Sequence, residues 1–192
     1  MNIQLTEKKE QIFHSTLKLI NIHGFHGSPM SMIAKEANVA VGSIYHYFPS
    51  KDDLIVELYW YCKENLTTKV FSQLDANLPY EARFKQIWKN LVLYYLEYLD
   101  HFGFLEQFYG SPFYEGIRTN LFKQKTERNI LHHFLEEGVK LKLLKNLKNR
   151  LLLPAYLGVA ISFVRGCLYE KTKPTEEEIE TMVGIIWNGV KI

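Results

Sequence analysis

An all-α fold is expected from three features of the chain. Apolar residues recur three and four apart through almost its whole length. No stretch of useful length shows the strict alternation of a half-buried strand. Turn-forming residues punctuate the pattern at Asn38, Pro49, residues 75–79 and Gly110-Ser111-Pro112. About nine helices are anticipated, with short ones near the start and longer ones after. The expected division is an N-terminal three-helix domain over residues 1–50 and a second helical domain over 51–192.

The first helix is predicted from Thr6 to His23, with Ile12, Phe13, Leu17 and Ile20 on its apolar face and Gly24 ending it. Ser28 reads as an N-cap and Pro29 as the first position of a second helix. Met30, Ile33, Ala34 and Ala37 then follow at helical spacing. Asn38 tolerates the left-handed conformation that ends a helix, and Val39 is expected to plug the turn. A third helix starts near Val41, carries Ile44 and Phe48 inward, and stops at Pro49. Two short helices joined by so tight a turn form a helix-turn-helix. The outward side of the third helix then holds small or polar-tipped residues. A helix of that width fits the major groove of DNA, where such residues meet phosphates and base edges.

Helix 4 opens at Ser50, with Asp52 and Asp53 favourable at its positive end, and runs past Lys69. A very aromatic fifth helix is predicted from Tyr80 to His101, with a bend at Gly103 leading into Phe104 to Tyr109. Residues 113–145 read as one long amphipathic helix. Asn149 to Thr172 and Thr175 to Lys191 complete the chain, the last with a capping box, Thr175-Glu176-Glu177-Glu178.

Composition narrows the class. An apolar content of 47% argues for a packed globule rather than disorder. The N-terminus lacks a signal-peptide core, and no apolar run is read as reaching the ~20 residues that span a bilayer. Cys62 and Cys167 form no pairing pattern, so a reduced, cytoplasmic and nucleoid-associated setting is expected, with no membrane partner. The net charge of +2 lies entirely in residues 1–51, which hold five lysines, three acids and four of the seven histidines. No phosphate loop, nucleophile elbow or zinc pattern is present, so neither catalysis nor a cofactor is expected. His132-His133 with Glu136 and Glu137 has metal-ligand spacing, but such pairs on a charged helix are usually solvated, and no metal is expected.

Gly24-Phe25, Ser28, the run Ile33 to Val39 and the run Gly42 to Lys51 together resemble the DNA-binding module of the tetracycline-repressor (TetR-like) family. The resemblance covers roughly residues 6–60, about a third of the chain. It departs at Ala40, where a capping Ser or Thr is usual, and at Val41, where Lys or Arg is common. It implies a homodimeric repressor released by a small molecule. On this reading the chain is no enzyme, and its partners are double-stranded operator DNA, a second copy and an effector. The alternative is a helical small-molecule or protein-binding module that has lost sequence-specific DNA binding.

The residues set for DNA contact are Ser28, Pro29, Ser31, Gly42, Ser43, Tyr45, His46, Tyr47 and Lys51. Aromatic rings with polar tips suit an apolar effector pocket, and Trp88, Tyr95, Tyr98, Phe108, Phe122, Phe134, Tyr156 and Phe163 fit that description. Arg118, Arg128 or His132 would select a polar group on the effector. A small-residue stripe, Ala155, Gly158, Ser162 and Gly166, lets another helix come close. With Val183, Ile186, Trp187 and Val190 on the last helix it forms the expected dimer face.

Overall fold

The computed structural model describes residues 7–72, 74–115 and 130–192. Among them the fold is all-α, as expected. The helices are α1 (Glu7–His23), α2 (Met30–Glu36), α3 (Val41–Tyr47), α4 (Lys51–Phe71), α5 (Tyr80–Glu97), α6 (Leu99–Tyr109), α7 (Ile130–Lys140), α8 (Asn149–Glu170) and α9 (Glu176–Val190). Within the expected helix over 113–145, only the part from Ile130 is described as a full helix. Ile117, Arg118, Leu121, Phe122 and Arg128 lie outside the described residues.

The chain divides into two compact units. The first takes the described residues up to Glu64 and those from Tyr98 to Glu115. The second takes Asn65 to Glu97 and the described residues from Ile130 onward. Among the described helices, α4 alone contributes residues to both.

In the first unit, α1 turns Ile12, Phe13, Leu17 and Ile20 inward, and these meet Ile33, Ile44 and Phe48 in a closed core. Phe13 packs on Phe48 with ring centroids 5.5 Å apart, and Tyr59 of α4 stacks on Phe108 of α6 at 4.5 Å. The predicted bend at Gly103 is not where the chain turns. The helix breaks at Tyr98 (φ −110°, ψ 64°), and Gly103 lies inside α6. Its missing side chain serves contact instead: a Cβ there would stand 2.3 Å from Asn21 Oδ1. Asn21 Nδ2 donates to the Asp100 carbonyl at 2.9 Å, and Gln107 Nε2 donates to that of Ile20 at 3.3 Å, so α6 is stitched to α1.

In the second unit, the apolar stripe of α5 packs against α8 and α9. Trp88 Nε1 donates to the Tyr156 carbonyl at 3.1 Å, and Tyr156 Oη donates to that of Phe84 at 2.8 Å. Tyr80 stacks on Phe134 of α7 at 4.6 Å. The capping box at Thr175 and Glu178 is complete, as the sequence leads one to expect. Val183, Ile186, Trp187 and Val190, expected on a dimer face, instead point into this core. Trp187 lies 5.1 Å from Phe84. The period of α9 forces that choice: this stripe meets α5, which leaves Met182 and Ile185 on the other side.

Trp88→Phe should therefore destabilise more than Trp187→Phe. The first forfeits a buried hydrogen bond worth ~0.5–1.5 kcal/mol net. The second loses ring area only, because the buried Trp187 Nε1 has no partner among the described residues. Urea denaturation of the two variants measures the difference.

Arg150–Glu170 is long and apolar enough to cross a membrane by length and composition, although no such run is anticipated from the sequence. Only 28% of its apolar window is buried within the chain. Ala155, Gly158, Ser162 and Gly166 are all on its exposed side.

Candidate nucleic-acid interface

The helix-turn-helix is held by local rules of chain geometry. Gly24 takes φ +69° and closes α1. Asn38 takes φ +51° and ends α2, as its side chain permits without a glycine. Ile44 and Phe48, both fully buried, anchor α3 from beneath.

That anchoring decides which residues of α3 face outward. Tyr45 is 49% exposed, and Gly42 and His46 are exposed with it. Ser43 and Tyr47 are half-buried, and the Tyr47 ring leans toward Phe48 at 6.3 Å. A Cβ at Gly42 would meet nothing within 4 Å, so no internal packing demands glycine there. Ser31 and Pro29 are also exposed. Neither Pro29 nor Ala40, the residues that open α2 and α3, gives a side-chain cap. Val41, 40% exposed at the start of α3, is outside the expected contact set. Its methyls suit the thymine methyl, and its place beside Gly42 on a short helix is the sequence signal that points to it.

Two expected contact residues are placed otherwise. Ser28 neither caps α2 nor reaches the surface. It is fully buried, and its hydroxyl donates to the Gly24 carbonyl at 2.8 Å. Pro29 is the N-cap, through its backbone, and α2 begins at Met30. Lys51 turns its ammonium to the Phe25 carbonyl, and partial burial lowers its pKa. Together Ser28 and Lys51 fix the loop that sets α2.

The charge is similarly committed. Lys9 pairs with Glu57, and its ammonium lies over the rings of Phe13 and Phe48 at 5.7 and 5.2 Å. Lys18 pairs with Glu36 at 2.6 Å, which raises its pKa. Lys8 and Lys35 remain exposed on this unit.

The aromatic residues expected around an effector are divided between the two units. Tyr98 and Phe108 belong to the first unit. Trp88, Tyr95, Phe134, Tyr156 and Phe163 belong to the second, where all but Phe163 are buried in packed core. A groove of about 510 Å³ lies along the outer side of α8, lined by Gly158, Ser162, Phe163, Gly166 and Met182 among others.

Residues 12–58, which span this helix-turn-helix, match the model of bacterial regulatory proteins of the tetR family. Residues 79–191 match that of the tetracyclin repressor-like C-terminal domain. The chain belongs to the TetR family. It is a helix-turn-helix transcriptional regulator and not an enzyme. An uncharacterized HTH-type transcriptional regulator of Haemophilus influenzae is 27% identical, over 97% of each chain. The crystal structure of a TetR-family regulator from Haemophilus influenzae superposes with a TM-score of 0.84 at 25% identity, covering 97% of both chains. One from Marinobacter aquaeolei gives 0.86 at 20% identity, over 96% of this chain and 95% of that one, a likeness of fold.

Proposed function

We propose that this TetR-family regulator is a repressor that binds a near-palindromic operator as a homodimer and is released by a small apolar or aromatic effector. The observation that carries the DNA reading is the division of α3, with Ile44 and Phe48 inward and Gly42, Ser43, Tyr45 and His46 on its outer side. In a dimer, two such helices ~34–36 Å apart would enter successive major grooves. Pro29, Ser31 and Tyr47 complete the contact set proposed for each protomer, and Lys51 acts by holding the loop beside it.

The dimer reading rests on the outer face of α8. An apolar helix so little covered by its own chain needs a cover, and Ala155, Gly158, Ser162 and Gly166 let a second helix approach closely. Ile185, 59% exposed on α9, extends the face. A second copy suits this face better than lipid, since Arg165 and Glu170 stand among its exposed residues. We place the DNA-binding domain in residues 1–50 and the effector seat among the aromatic rings of 51–192, around Trp88 and Tyr156. The effector would act by binding one arrangement of α4 more tightly than the other. A protein with these partners works in the cytoplasm, on the nucleoid.

Tyr45→Ala tests the DNA reading, because Tyr45 is half exposed and its loss leaves the core intact. In a gel shift with a duplex selected by the wild-type protein from a random pool, operator affinity should fall roughly 10–100-fold, the ~1–3 kcal/mol of a base or phosphate contact. Unchanged affinity would overturn it. The pairing of Lys9, Lys18 and Lys51 with partners in their own chain favours a second reading, a binding module that no longer selects a DNA sequence. In that case the random pool yields no preferred duplex.

A further inference from the structure

We propose that His132, His133 and Glu136, in the first turns of α7, bind a divalent transition-metal ion of the Zn²⁺ type. The two histidines stand four and three residues before the glutamate, so each imidazole is a surface neighbour of its carboxylate. The two carboxylate oxygens of Glu136 are shared between the two rings. His132 Nδ1 lies 3.7 Å from Oε1, and His133 Nδ1 lies 3.8 Å from Oε2. One ligand atom from each residue falls within 4.8 Å of the other two.

These separations are too long for hydrogen bonds. They are close to what a metal needs. Bonds of about 2.0–2.1 Å in a tetrahedral shell put neighbouring ligand atoms roughly 3.3–3.4 Å apart. Each His–Glu pair is a few tenths of an ångström wider than that and uses its own carboxylate oxygen, so Glu136 would grip one ion through both oxygens or turn to offer one, while the two imidazoles draw together. The helix beneath them is fixed: Phe134 and Leu135 are buried on its other side, and Phe134 stacks on Tyr80.

Entry and selectivity follow from the same residues. His132, His133 and Glu136 are 37%, 50% and 41% exposed, so a hydrated ion reaches them directly. Two imidazoles and one carboxylate favour zinc, copper or nickel over magnesium or calcium, which prefer oxygen alone. Glu137 does not join the set, because it pairs with Arg83 at 3.0 Å. Three protein ligands leave the remaining coordination positions to water.

The test is isothermal titration of tag-free full-length protein with zinc chloride, with His133→Ala and Glu136→Gln beside the wild type. The expected result is one saturable ion per chain, weakened at least about tenfold in both variants. Both substitutions are at exposed positions, and circular dichroism checks that α7 keeps its helix. Heat that never saturates, or zinc binding untouched by both substitutions, overturns the proposal.

Discussion

Gly138→Ala is expected to destabilise the protein by about 2 kcal/mol, although alanine is the better helix former. A Cβ at this position would stand 2.2 Å from Tyr80 Oη, 2.4 Å from its Cζ and 2.8 Å from Leu144 Cδ1. Tyr80 has little room to withdraw. Its hydroxyl donates to the Phe134 carbonyl at 2.9 Å, its ring stacks on Phe134, and the Arg83 guanidinium covers it at 5.6 Å. Overpacking of a closed core costs typically about 1–3 kcal/mol, occasionally more. The gain from replacing a helical glycine is roughly 1 kcal/mol. The clash is with a tethered ring rather than a loose side-chain tip, so the loss should prevail. Gly184→Ala is the control, since a Cβ there meets nothing within 4 Å. It should leave stability unchanged or raise it. A pair of thermal melts decides: a Gly138→Ala variant that melts no lower than Gly184→Ala would mean that Tyr80 moves aside.

Acid should weaken the fold through His101. The side chain is only 5% exposed, between the rings of Tyr61 and Tyr98 at 5.8 and 5.6 Å. Burial disfavours its charged form, the nearby His14 adds to that, and Asp100 opposes it weakly, so its pKa drops from 6.5 to about 4. The folded state thus binds a proton less readily than the unfolded chain. Stability from this group is complete above pH 6.5 and is lost as the pH falls through that value toward 4. A shift of this size corresponds to roughly 3–4 kcal/mol at most, at about 1.36 kcal/mol per pH unit. Denaturant midpoints between neutral and acid pH should fall in the wild type and fall less in His101→Gln. Parallel curves would show that other groups dominate the acid response.

The helix-turn-helix was legible because its signals are local. Asn38 and Pro49 act on their own backbone, and both end a helix where the sequence says they should. Ser28 misled because a serine before a proline looks like a cap, whereas its hydroxyl reaches back four residues to the Gly24 carbonyl. Gly103 misled for a related reason. Glycine permits a bend, but here it permits the approach of Asn21, eighty-two positions away in the chain. The two sides of α9 could not be told apart at all from periodicity. Val183 and Ile186 on one side and Met182 and Ile185 on the other are equally apolar, and α5 makes the choice. The aromatic residues were recognisable as a group but not as a pocket, since a ring that lines a cavity and a ring that fills a core carry the same letter.

The three indoles give the molecule a built-in optical reporter. Trp88 and Trp187 are both sealed within the second unit, one with its N–H satisfied and one with no partner among the described residues, while Trp60 sits half-covered in the first. Two of the three indoles therefore report on the second unit, which holds the proposed effector seat, and one on the unit that holds the helix-turn-helix. Titrating candidate small molecules while watching their glow, and watching operator release separately by anisotropy, would follow the two halves of the response without attaching any label to the chain.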